Sequence, residues 1–337
     1  IVCIGHVDAG KSTMSGQILI KTGQVSKRDI DKYTRDAKDK GRDTIALYDQ
    51  AMDRKARDRR EIETDLREAV ARDQLNIHYQ PVIDLDSGEV GGYEALLRWY
   101  HPQRGVVRPD EFLGVAEETG LIVPIGEWVI GQALRETATW DGDFRIAINL
   151  SPTQVRSPHL VDVVARAIHA HGFDPGRVEF EITEHVLMQK GSVCGANLEK
   201  LRELGTKIAL DDFGIGYSSL SYLRRFPFDR IKIDKDFVED IERSADNQAI
   251  VSSITRLADA LGMAATAEGV ETRAQLDLLR KLGCQEAQGY LICEPVPGEN
   301  FATPDAVEAA MHGEASGILD YRKAREAVLR RRGREAG

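Results

Sequence analysis

Short apolar runs alternate with amphipathic runs along the chain from residue 75 onward. Eight runs have the length and composition of strands: LNIHYQPVI, YEALLRW, FRIAINL, RVEFEIT, KIALDDF, RIKID, ATAEGV and AQGYLI. Helical patterns lie between them, such as DEFLGVAEETG, HLVDVVARAIHAHG, GANLEKLRELG, QAIVSSITRLADALG and AQLDLLRKLG, and several end in Gly. This alternation predicts an α/β fold with parallel strands and outer helices. Eight strands in about 220 residues favour a closed (β/α)8 barrel of TIM type, with an open doubly wound sheet as the alternative.

Polar residues interrupt these apolar runs, each inside or at the end of a separate strand. They are Glu94, Asn149, Glu181, Asp211, Lys232, Glu268 and Gln288. A charged side chain on a buried strand is costly unless it is paired or binds a metal ion. In a barrel these residues would converge on the C-terminal mouth, where barrel enzymes keep their sites. The oxygen-rich set suits Mg²⁺ or Mn²⁺, and the adjacent Asp211 and Asp212 suit two ions that share a carboxylate.

The first 43 residues have a different character. The apolar run IVCI precedes a segment that follows the phosphate-loop pattern G-x-x-x-x-G-K-[ST]. In a working loop, backbone amides at Gly5 and Gly10 and the side chain of Lys11 cradle phosphates, and Ser12 holds a magnesium ion. The longer run IGHVDAGKST resembles translational GTPases of the eukaryotic elongation factor 1-alpha and release-factor group.

The resemblance to these GTPases ends near Arg42. The sequence shows no switch segment, Asp-x-Pro-Gly turn or Asn-Lys-x-Asp guanine reader of that family. A strand and a helix without the rest of their sheet cannot bury both faces. Residues 1–43 are therefore interpreted as a truncated, non-functional P-loop fragment, whether an assembly artefact, an engineered join or a natural fusion. A GTP-binding translation factor is the least favoured hypothesis for the chain.

A charged segment without Pro or Gly follows at residues 44–73. Ile62, Leu66 and Val70 recur every four residues, which predicts a helix with one narrow apolar stripe. This helix either packs on the next domain through its stripe or joins that domain to an upstream signalling module. The two roles are compatible.

Composition and charge narrow the class of function. The 337 residues carry a net charge of −10, so a broad surface for nucleic-acid polymers is not expected. The four cysteines fit neither a metal site nor a disulfide framework, and the histidines form no ligand set. No apolar run reaches the roughly 20 residues of a membrane helix, and no signal peptide is present. A cytoplasmic protein is expected, with a fragment of a longer anchored chain as the alternative.

A series of short motifs connects the polar strand residues to a known family. The run Glu94-Ala95-Leu96-Leu97-Arg98 occurs with YQPVIDL, INLSP, EITE, DDFGIGYSSLSYL, DRIKID, AEGVET and QGYL. In this order they resemble the EAL family, the cyclic di-GMP phosphodiesterases of bacterial signalling, over about residues 65–310. The preceding segment is similar to the connector that follows a GGDEF domain in tandem proteins. The implied divisions are a connector at 44–73, the EAL barrel at 74–312 and a basic tail at 313–337.

The resemblance implies two groups of metal ligands that share one carboxylate. The groups are Glu94, Asn149, Glu181 and Asp211 for one Mg²⁺ or Mn²⁺ ion, and Asp211, Asp212 and Glu268 for the other. Lys232 would contact the attacking water, and Glu268 is also a candidate base. The implied reaction is hydrolysis of one 3′–5′ phosphodiester of cyclic di-GMP to linear pGpG. A domain that binds cyclic di-GMP without cutting it is the alternative.

The resemblance further implies substrate contacts and a loop anchor. The substrate contacts would be Gln80, Leu97, Arg98 and Gln288. Glu184 would anchor the loop at residues 212–219, which in this family couples metal binding to contacts in a homodimer formed through the barrel. The sequence departs from the family at Cys293-Glu294, where a small and then a basic residue are commoner. Glu294 is expected to face solvent.

Overall fold

The computed structural model describes residues 50–140, 142–188, 192–214, 223 and 226–298. The chain divides into two units, 1–64 and 65–337, and every residue of the candidate site described below belongs to the second. The predicted phosphate loop, with Gly5, Gly10, Lys11 and Ser12, lies outside the described residues. So do residues 299–312 of the predicted barrel domain and the predicted basic tail.

The described part of the chain contains ten strands and ten α-helices. The strands are β1 Leu75–Asp84, β2 Val90–His101, β3 Gly105–Val107, β4 Arg145–Asn149, β5 Val178–Thr183, β6 Lys207–Phe213, β7 Arg230–Ile233, β8 Ala264–Ala267, β9 Glu286–Ala287 and β10 Val296–Pro297. The helices are α1 Gln50–Ala69, α2 Pro109–Thr119, α3 Ile122–Thr137, α4 Pro152–Val155, α5 Leu160–His171, α6 Glu184–Met188, α7 Ser192–Glu203, α8 Lys235–Val238, α9 Ala245–Ala260 and α10 Arg273–Lys281. None of these helices is long and apolar enough to cross a membrane.

The sheet closes on itself through its first strand. β1 pairs with β2 on one side and with β9 on the other, and the pairing between them runs β2-β4-β5-β6-β7-β8-β9. Eight strands therefore form a closed barrel, with β3 beside β2 and β10 beside β1. The predicted (β/α)8 barrel is confirmed, and the open doubly wound sheet is excluded.

One strand contradicts the prediction of parallel pairing. β1 is antiparallel to both β2 and β9, whereas the pairings from β2 round to β9 are parallel. The cause is the short connection at residues 85–89, since a parallel pair needs a crossover of about a dozen residues or more. Asp84 Oδ1 accepts hydrogen bonds from the amides of Asp86 and Ser87, which shapes this turn. The N-terminal end of β1 therefore lies at the mouth, where β2 ends.

Strand alternation separates an apolar outer face from a polar interior. On β5, Phe180 and Ile182 are fully buried on one face, while Glu179 and Glu181 occupy the other. The outer faces pack against helices, as where Trp99 of β2 meets Phe112 of α2 edge to face, with ring centroids 5.6 Å apart. The inward faces of the strands bring polar side chains together inside the barrel.

Helix α1 confirms the predicted amphipathic helix, except that its third buried residue is Ala69 and not Val70. Ile62 and Leu66 are buried, but the helix ends at Ala69, which is also buried, and Val70 is half-buried in the following turn. Asp65 Oδ2, in the second unit, lies 3.1 Å from Nε2 of His101, the last residue of β2. The end of α1 therefore contacts the mouth end of β2.

Candidate functional site

The acidic strand residues meet around one buried ammonium group. Lys232 of β7 is 2% exposed, and its Nζ lies 2.6 Å from Glu181 Oε2 and 2.5 Å from Glu268 Oε1. The same Nζ lies 3.5 Å from Glu94 Oε2 and 3.5 Å from Asp211 Oδ1. Because the four carboxylates come from β2, β5, β6 and the end of β8, closure of the barrel brings them together.

Two amides complete this layer of side chains. Asn149 Nδ2, at the end of β4, donates to Glu94 Oε1 at 2.6 Å. Gln288 Nε2 donates to Glu94 Oε2 at 2.7 Å and to Gln80 Oε1 at 2.9 Å. Gln288 Oε1 is buried and accepts no hydrogen bond from the described residues, so it is available to a donor group of a ligand. We call this set the upper layer: Glu94, Asn149, Glu181, Asp211, Lys232, Glu268 and Gln288.

A bulge places two consecutive aspartates opposite Lys232 of the upper layer. β6 and β7 are in register at Leu210 and again at Phe213, but Asp211 and Asp212 together stand opposite the single residue Lys232. Asp212 adopts a φ of 55°, in the left-handed region that side chains other than Gly seldom occupy. A regular strand would send adjacent side chains to opposite faces, and a bulge re-aims them. From the sequence, the adjacent Asp-Asp pair was interpreted as suiting two ions, and the bulge itself was not predicted.

Surplus negative charge governs protonation in the upper layer. Four carboxylates surround one ammonium, a surplus of three negative charges when all are ionised. Burial and the charge of Glu94 raise the pKa of Glu181 well above its ordinary value. Burial raises the pKa of Glu268 to about 8, against the attraction of Lys232. Burial also opposes ionisation of Glu94, but Lys232 and the hydrogen bond from Gln288 hold the pKa of Glu94 below its ordinary value.

The same surplus of negative charge affects the pKa values of Lys232 and Asp212. Burial alone would lower the pKa of Lys232, but the surrounding carboxylates raise it well above its ordinary value, so the ammonium stays charged. Burial and the charges of Asp211 and Asp234 raise the pKa of Asp212 to about 6. Asp234 was not predicted as a site residue. Its sequence signal is that of an N-cap, and its Oδ1 accepts the Asp236 amide at 2.7 Å at the start of α8.

The donor set fits hard divalent cations. Carboxylate and amide oxygens are the ligands that Mg²⁺ and Mn²⁺ prefer, and a cation would offset the burial and the repulsion that raise the pKa of Glu181. The carboxylates are drawn towards Lys232, and among the described residues no three acidic, His or Cys side chains form a ready-made metal cage. The chemistry and charge of the upper layer therefore suit metal ions, while Lys232 sets its present geometry.

The predicted substrate contacts lie close to the upper layer or further along β2. Gln80 accepts from Gln288 and donates from Nε2 to the Cys293 carbonyl at 3.0 Å. Leu97 and Arg98 are half-buried near the end of β2, and Arg98 Nη1 donates to the Leu97 carbonyl at 2.9 Å. Glu294, which follows Cys293 in the chain, is exposed, as expected from the sequence.

The predicted loop anchor contacts the backbone where the described part of its loop ends. Glu184 Oε1, at the start of α6, accepts a hydrogen bond from the amide of Gly214 at 3.1 Å. Residues 215–219 of the predicted loop lie outside the described residues. The role of Glu184 in coupling the loop to metal binding stays a prediction.

His78 is a buried polar residue near Arg98 that sequence analysis did not identify. Its Nδ1 lies 3.2 Å from the Pro295 carbonyl, and its Nε2 lies 2.7 Å from the Tyr100 hydroxyl. A carbonyl only accepts, so Nδ1 is assigned the hydrogen and Nε2 accepts from Tyr100. Burial and the charge of Arg98 lower the pKa of His78 to about 4, so the ring is neutral near pH 7. Its one sequence signal is the position two residues before Gln80, on the same face of β1.

Comparison with known sequences identifies the family of this site. Residues 63–295 match the family model described as EAL domain. The chain is 43% identical over 269 residues to the bifunctional diguanylate cyclase/cyclic di-GMP phosphodiesterase MucR of Pseudomonas aeruginosa, with 79% of this chain and 39% of MucR covered. It spans 35% and 32% of two further curated relatives, so it corresponds to about a third of their length.

Solved structures with bound cyclic di-GMP share the barrel. The MucR phosphodiesterase complex with cyclic di-GMP superposes with a TM-score of 0.68 at 44% identity, covering 71% of this chain and 98% of that chain. BlrP1 of Klebsiella pneumoniae, solved with cyclic di-GMP and calcium or manganese, gives a TM-score of 0.61 at 32% identity, with 67% and 56% covered. Divalent metal ions thus accompany the ligand in structures of this fold.

The N-terminal resemblance is also matched by a family model. Residues 1–78 match the model described as Elongation factor Tu GTP binding domain, which extends beyond Arg42, where the resemblance was expected to end. Residues 63–78 of this match are shared with the EAL match and include the start of β1. The EAL match covers more than half of the chain, and together with the relatives it shows that the chain belongs to the EAL domain family.

Proposed function

We propose that this domain hydrolyses one 3′–5′ phosphodiester of cyclic di-GMP to give linear 5′-pGpG, using two Mg²⁺ or Mn²⁺ ions. The observation that carries the proposal is the buried Lys232 ammonium within 3.5 Å of four carboxylates in the barrel. Such a cluster has more negative charge than it needs for a structural ion pair. The relatives named as cyclic di-GMP phosphodiesterases support the choice of substrate.

The proposed metal ligands are the oxygen donors of the upper layer with Asp212. One ion would be held by Glu94, Asn149, Glu181 and Asp211, and the other by Asp211, Asp212 and Glu268. Bound divalent ions would supply Lewis acidity and neutralise charge at the phosphate and the attacking water. The bulge at Asp211 and Asp212 supports this division, because it sets both residues opposite Lys232 in the register of β6 and β7.

Lys232 and Glu268 are the proposed catalytic residues. The water oxygen forms a bond to phosphorus, the bond from phosphorus to the 3′ oxygen breaks, and that oxygen takes up a proton from solvent. Lys232 donates a hydrogen bond to the attacking water and stabilises the negative charge that develops on the phosphate. Near pH 7 Glu268 holds a proton in the metal-free site, and bound divalent ions would favour its ionised form. In that form Glu268, whose Oε1 lies 2.5 Å from Lys232 Nζ, would accept the proton of the water.

The substrate would be held by residues of β1, β2 and the segment after β9. The Arg98 guanidinium suits a phosphate as a planar fork, and Leu97 supplies an apolar contact beside it. Gln80 and Gln288 present amides, and the open Gln288 Oε1 suits an N–H or O–H donor of the ligand. Glu184 would keep the backbone at Gly214 in place. A homodimer through the barrel is part of the proposal.

A binding module without turnover is the second candidate. It is favoured by the engagement of all four carboxylates with Lys232 and by the lack of a ready-made metal cage within the described ranges. In that case the site takes up cyclic di-GMP, and the bound state is the signal.

Turnover of cyclic di-GMP with Mg²⁺ or Mn²⁺, followed by chromatographic detection of pGpG, tests the two candidates. We expect product from the wild type and none from Glu94→Ala, with Glu127→Gln on α3 as an active control because Glu127 is exposed. Saturable binding of cyclic di-GMP with no product from the wild type would replace the enzyme by the binding module. Product from Glu94→Ala at the wild-type rate would refute the proposed site.

A further inference from the structure

A second charged cluster lies inside the barrel below the upper layer. We call it the lower ring, and its members are Arg145, Glu179, Arg230 and Glu286. Their side chains are 12%, 1%, 8% and 12% exposed, respectively. Neither the metal ligands nor the proposed substrate contacts include any of them.

Each arginine of the lower ring contacts both glutamates. Arg230 Nε lies 3.1 Å and 3.2 Å from the two carboxylate oxygens of Glu179, and its Nη1 lies 2.7 Å from Glu286 Oε2. Arg145 Nη2 lies 2.8 Å from Glu286 Oε2. Arg145 Nε lies 3.0 Å from Glu179 Oε1, close enough for an ion pair but not aligned as a hydrogen bond. Two positive and two negative charges thus close a balanced ring.

A threonine connects a further strand to the lower ring. Thr266 Oγ1 of β8 accepts from Arg230 Nη1 at 3.0 Å and donates to Glu286 Oε2 at 3.2 Å. The ring with Thr266 therefore ties together β4, β5, β7, β8 and β9. β1 and β2, which carry Gln80 and Arg98, contribute no member.

The lower ring lies directly beneath the residues proposed to do the chemistry. Four of the contacting residues stand two positions before a member of the upper layer: Glu179 before Glu181, Arg230 before Lys232, Thr266 before Glu268 and Glu286 before Gln288. Residues two apart on a strand share a face and are separated by about 6.6 Å along it. Any slip of one strand against its neighbour would therefore move both layers together.

We propose that the lower ring is a positioning layer, which holds β5, β7, β8 and β9 at the height where Glu181, Lys232 and Glu268 project to one level. The proposal rests on the proposed function of the upper layer. The members of the ring touch neither substrate nor metal and act only through the strands they share with the site. Three of the four proposed substrate contacts, Gln80, Leu97 and Arg98, lie on β1 and β2 outside the ring. Loss of a member therefore affects turnover and metal affinity more than substrate binding.

The test compares Arg230→Met with wild type in three measurements: kcat, KM for cyclic di-GMP, and Mn²⁺ affinity from the electron paramagnetic resonance signal of free Mn²⁺. We expect kcat and Mn²⁺ affinity each to fall about tenfold, as for other residues that orient metal ligands, while KM changes less than about twofold. Glu179→Gln, which keeps the shape of the side chain, is expected to change the same quantities in the same direction by less.

The matched control is Arg177→Met. Arg177 directly precedes β5 at the same end of the barrel, and its Nε donates to the Phe144 carbonyl at 2.8 Å, but it is not in the ring. This control should lose thermal stability without a change in kcat or Mn²⁺ affinity. If Arg230→Met does not fold, Arg230→Lys replaces it, since it keeps the charge but not the planar fork.

The possible outcomes separate this inference from the proposed function. A folded Arg230 variant with wild-type kcat and wild-type Mn²⁺ affinity would show that the ring is only structural. A wild type that binds Mn²⁺ but yields no pGpG would refute hydrolysis, and the Mn²⁺ affinity of the variants would still decide on positioning. A wild type that neither binds Mn²⁺ nor yields product would overturn both.

Discussion

The two charged layers inside the barrel have similar residues and opposite electrostatics. In the lower ring, burial opposes ionisation of Glu286, but Arg230 and Arg145 outweigh it and lower its pKa. In the upper layer, burial raises the pKa of Glu268 to about 8 because one lysine cannot offset four carboxylates. Both glutamates belong to the barrel interior, so burial alone does not distinguish them. The balance of charge around each one does.

The balance of charge distinguishes a cluster whose charges are satisfied from one with a surplus. A buried charge with its full complement of partners is satisfied and has nothing left to bind. A buried charge in a cluster with a surplus keeps a perturbed pKa, which is typical of sites that bind or react. The lower ring is of the first kind and the upper layer of the second.

Replacing the one cation of the upper layer should have the largest effect. With saturating Mn²⁺, Lys232→Met is expected to lower kcat for cyclic di-GMP about 100- to 1000-fold, because the donor to the developing negative charge is lost. The measurement is pGpG formation under single-turnover conditions. Lys207→Met, at the exposed start of β6, is the control and should keep the wild-type rate. Retention of the wild-type kcat in Lys232→Met would show that Lys232 is structural and not catalytic.

The same substitution in the two layers should have opposite effects on stability. Without metal, Glu286→Gln is expected to lower the free energy of unfolding by about 3 kcal/mol, because it leaves the buried arginines short of a partner. Glu268→Gln is expected to leave this free energy unchanged or raise it, because it reduces the surplus charge. Urea unfolding at pH 8 measures both, with Glu127→Gln as the exposed control. Equal losses of unfolding free energy in the two variants would show that the two layers do not differ in their balance of charge.

Divalent ions should stabilise the upper layer. At a Mn²⁺ concentration 100 times the Kd, the free energy of unfolding should rise by about 2.7 kcal/mol, and a chelator should reverse the gain. Asp211→Asn removes the carboxylate proposed to be shared by both ions and should abolish most of the gain. Differential scanning calorimetry with and without Mn²⁺ tests this. A full gain in Asp211→Asn would mean that Mn²⁺ binds elsewhere.

The smallest effect should be a slope of stability with pH in the metal-free protein. The pKa of Glu268 is about 8 in the folded state against an ordinary 4.5, so the folded state holds more protons than the unfolded state between these values. Stability therefore falls as pH rises through this window, since its slope follows the protons bound by the unfolded state minus those bound by the folded state.

The range from pH 7 to 8.5 tests this effect, and Glu181, whose pKa is also raised by burial, adds to the slope with the same sign. His78, with a pKa lowered from 6.5 to about 4, is neutral in the folded state there; its unfolded form still binds some protons near pH 7, which adds a small slope of opposite sign that fades as pH rises. Tm should fall across this range in the wild type, and Glu268→Gln should flatten the fall. A Tm that rises with pH in the wild type would contradict the surplus of charge.

The sequence predicted the barrel and the membership of the upper layer because both follow from local alternation. Glu181 and Lys232 stand among apolar residues on short strands, which makes an inward-facing polar site visible. The direction of β1 does not follow from its own alternation of apolar and polar residues. It follows from the short connection to β2 and from closure of the barrel against β9, and neither is evident when each strand is considered alone.

Other features depend on contacts between distant parts of the chain. Arg145 and Glu286 are 141 positions apart, and neither differs in pattern from an ordinary surface charge. The convergence of four carboxylates on Lys232 is likewise a property of the closed barrel. The adjacent Asp211 and Asp212 were evident in the sequence, but the bulge and the left-handed backbone conformation of Asp212 were not.

The reversed first strand determines where the chain enters the barrel. In an all-parallel barrel the entering segment arrives at the floor, far from the catalytic opening. Here it arrives at the rim, and Asp65, in α1, holds His101, three residues beyond Arg98 on β2. A rotation of the end of α1 would act through Asp65 on His101, which lies on the same strand as Glu94 and Arg98. The route from an incoming segment to the proposed chemistry is therefore only a few residues long, and it bypasses the rest of the barrel.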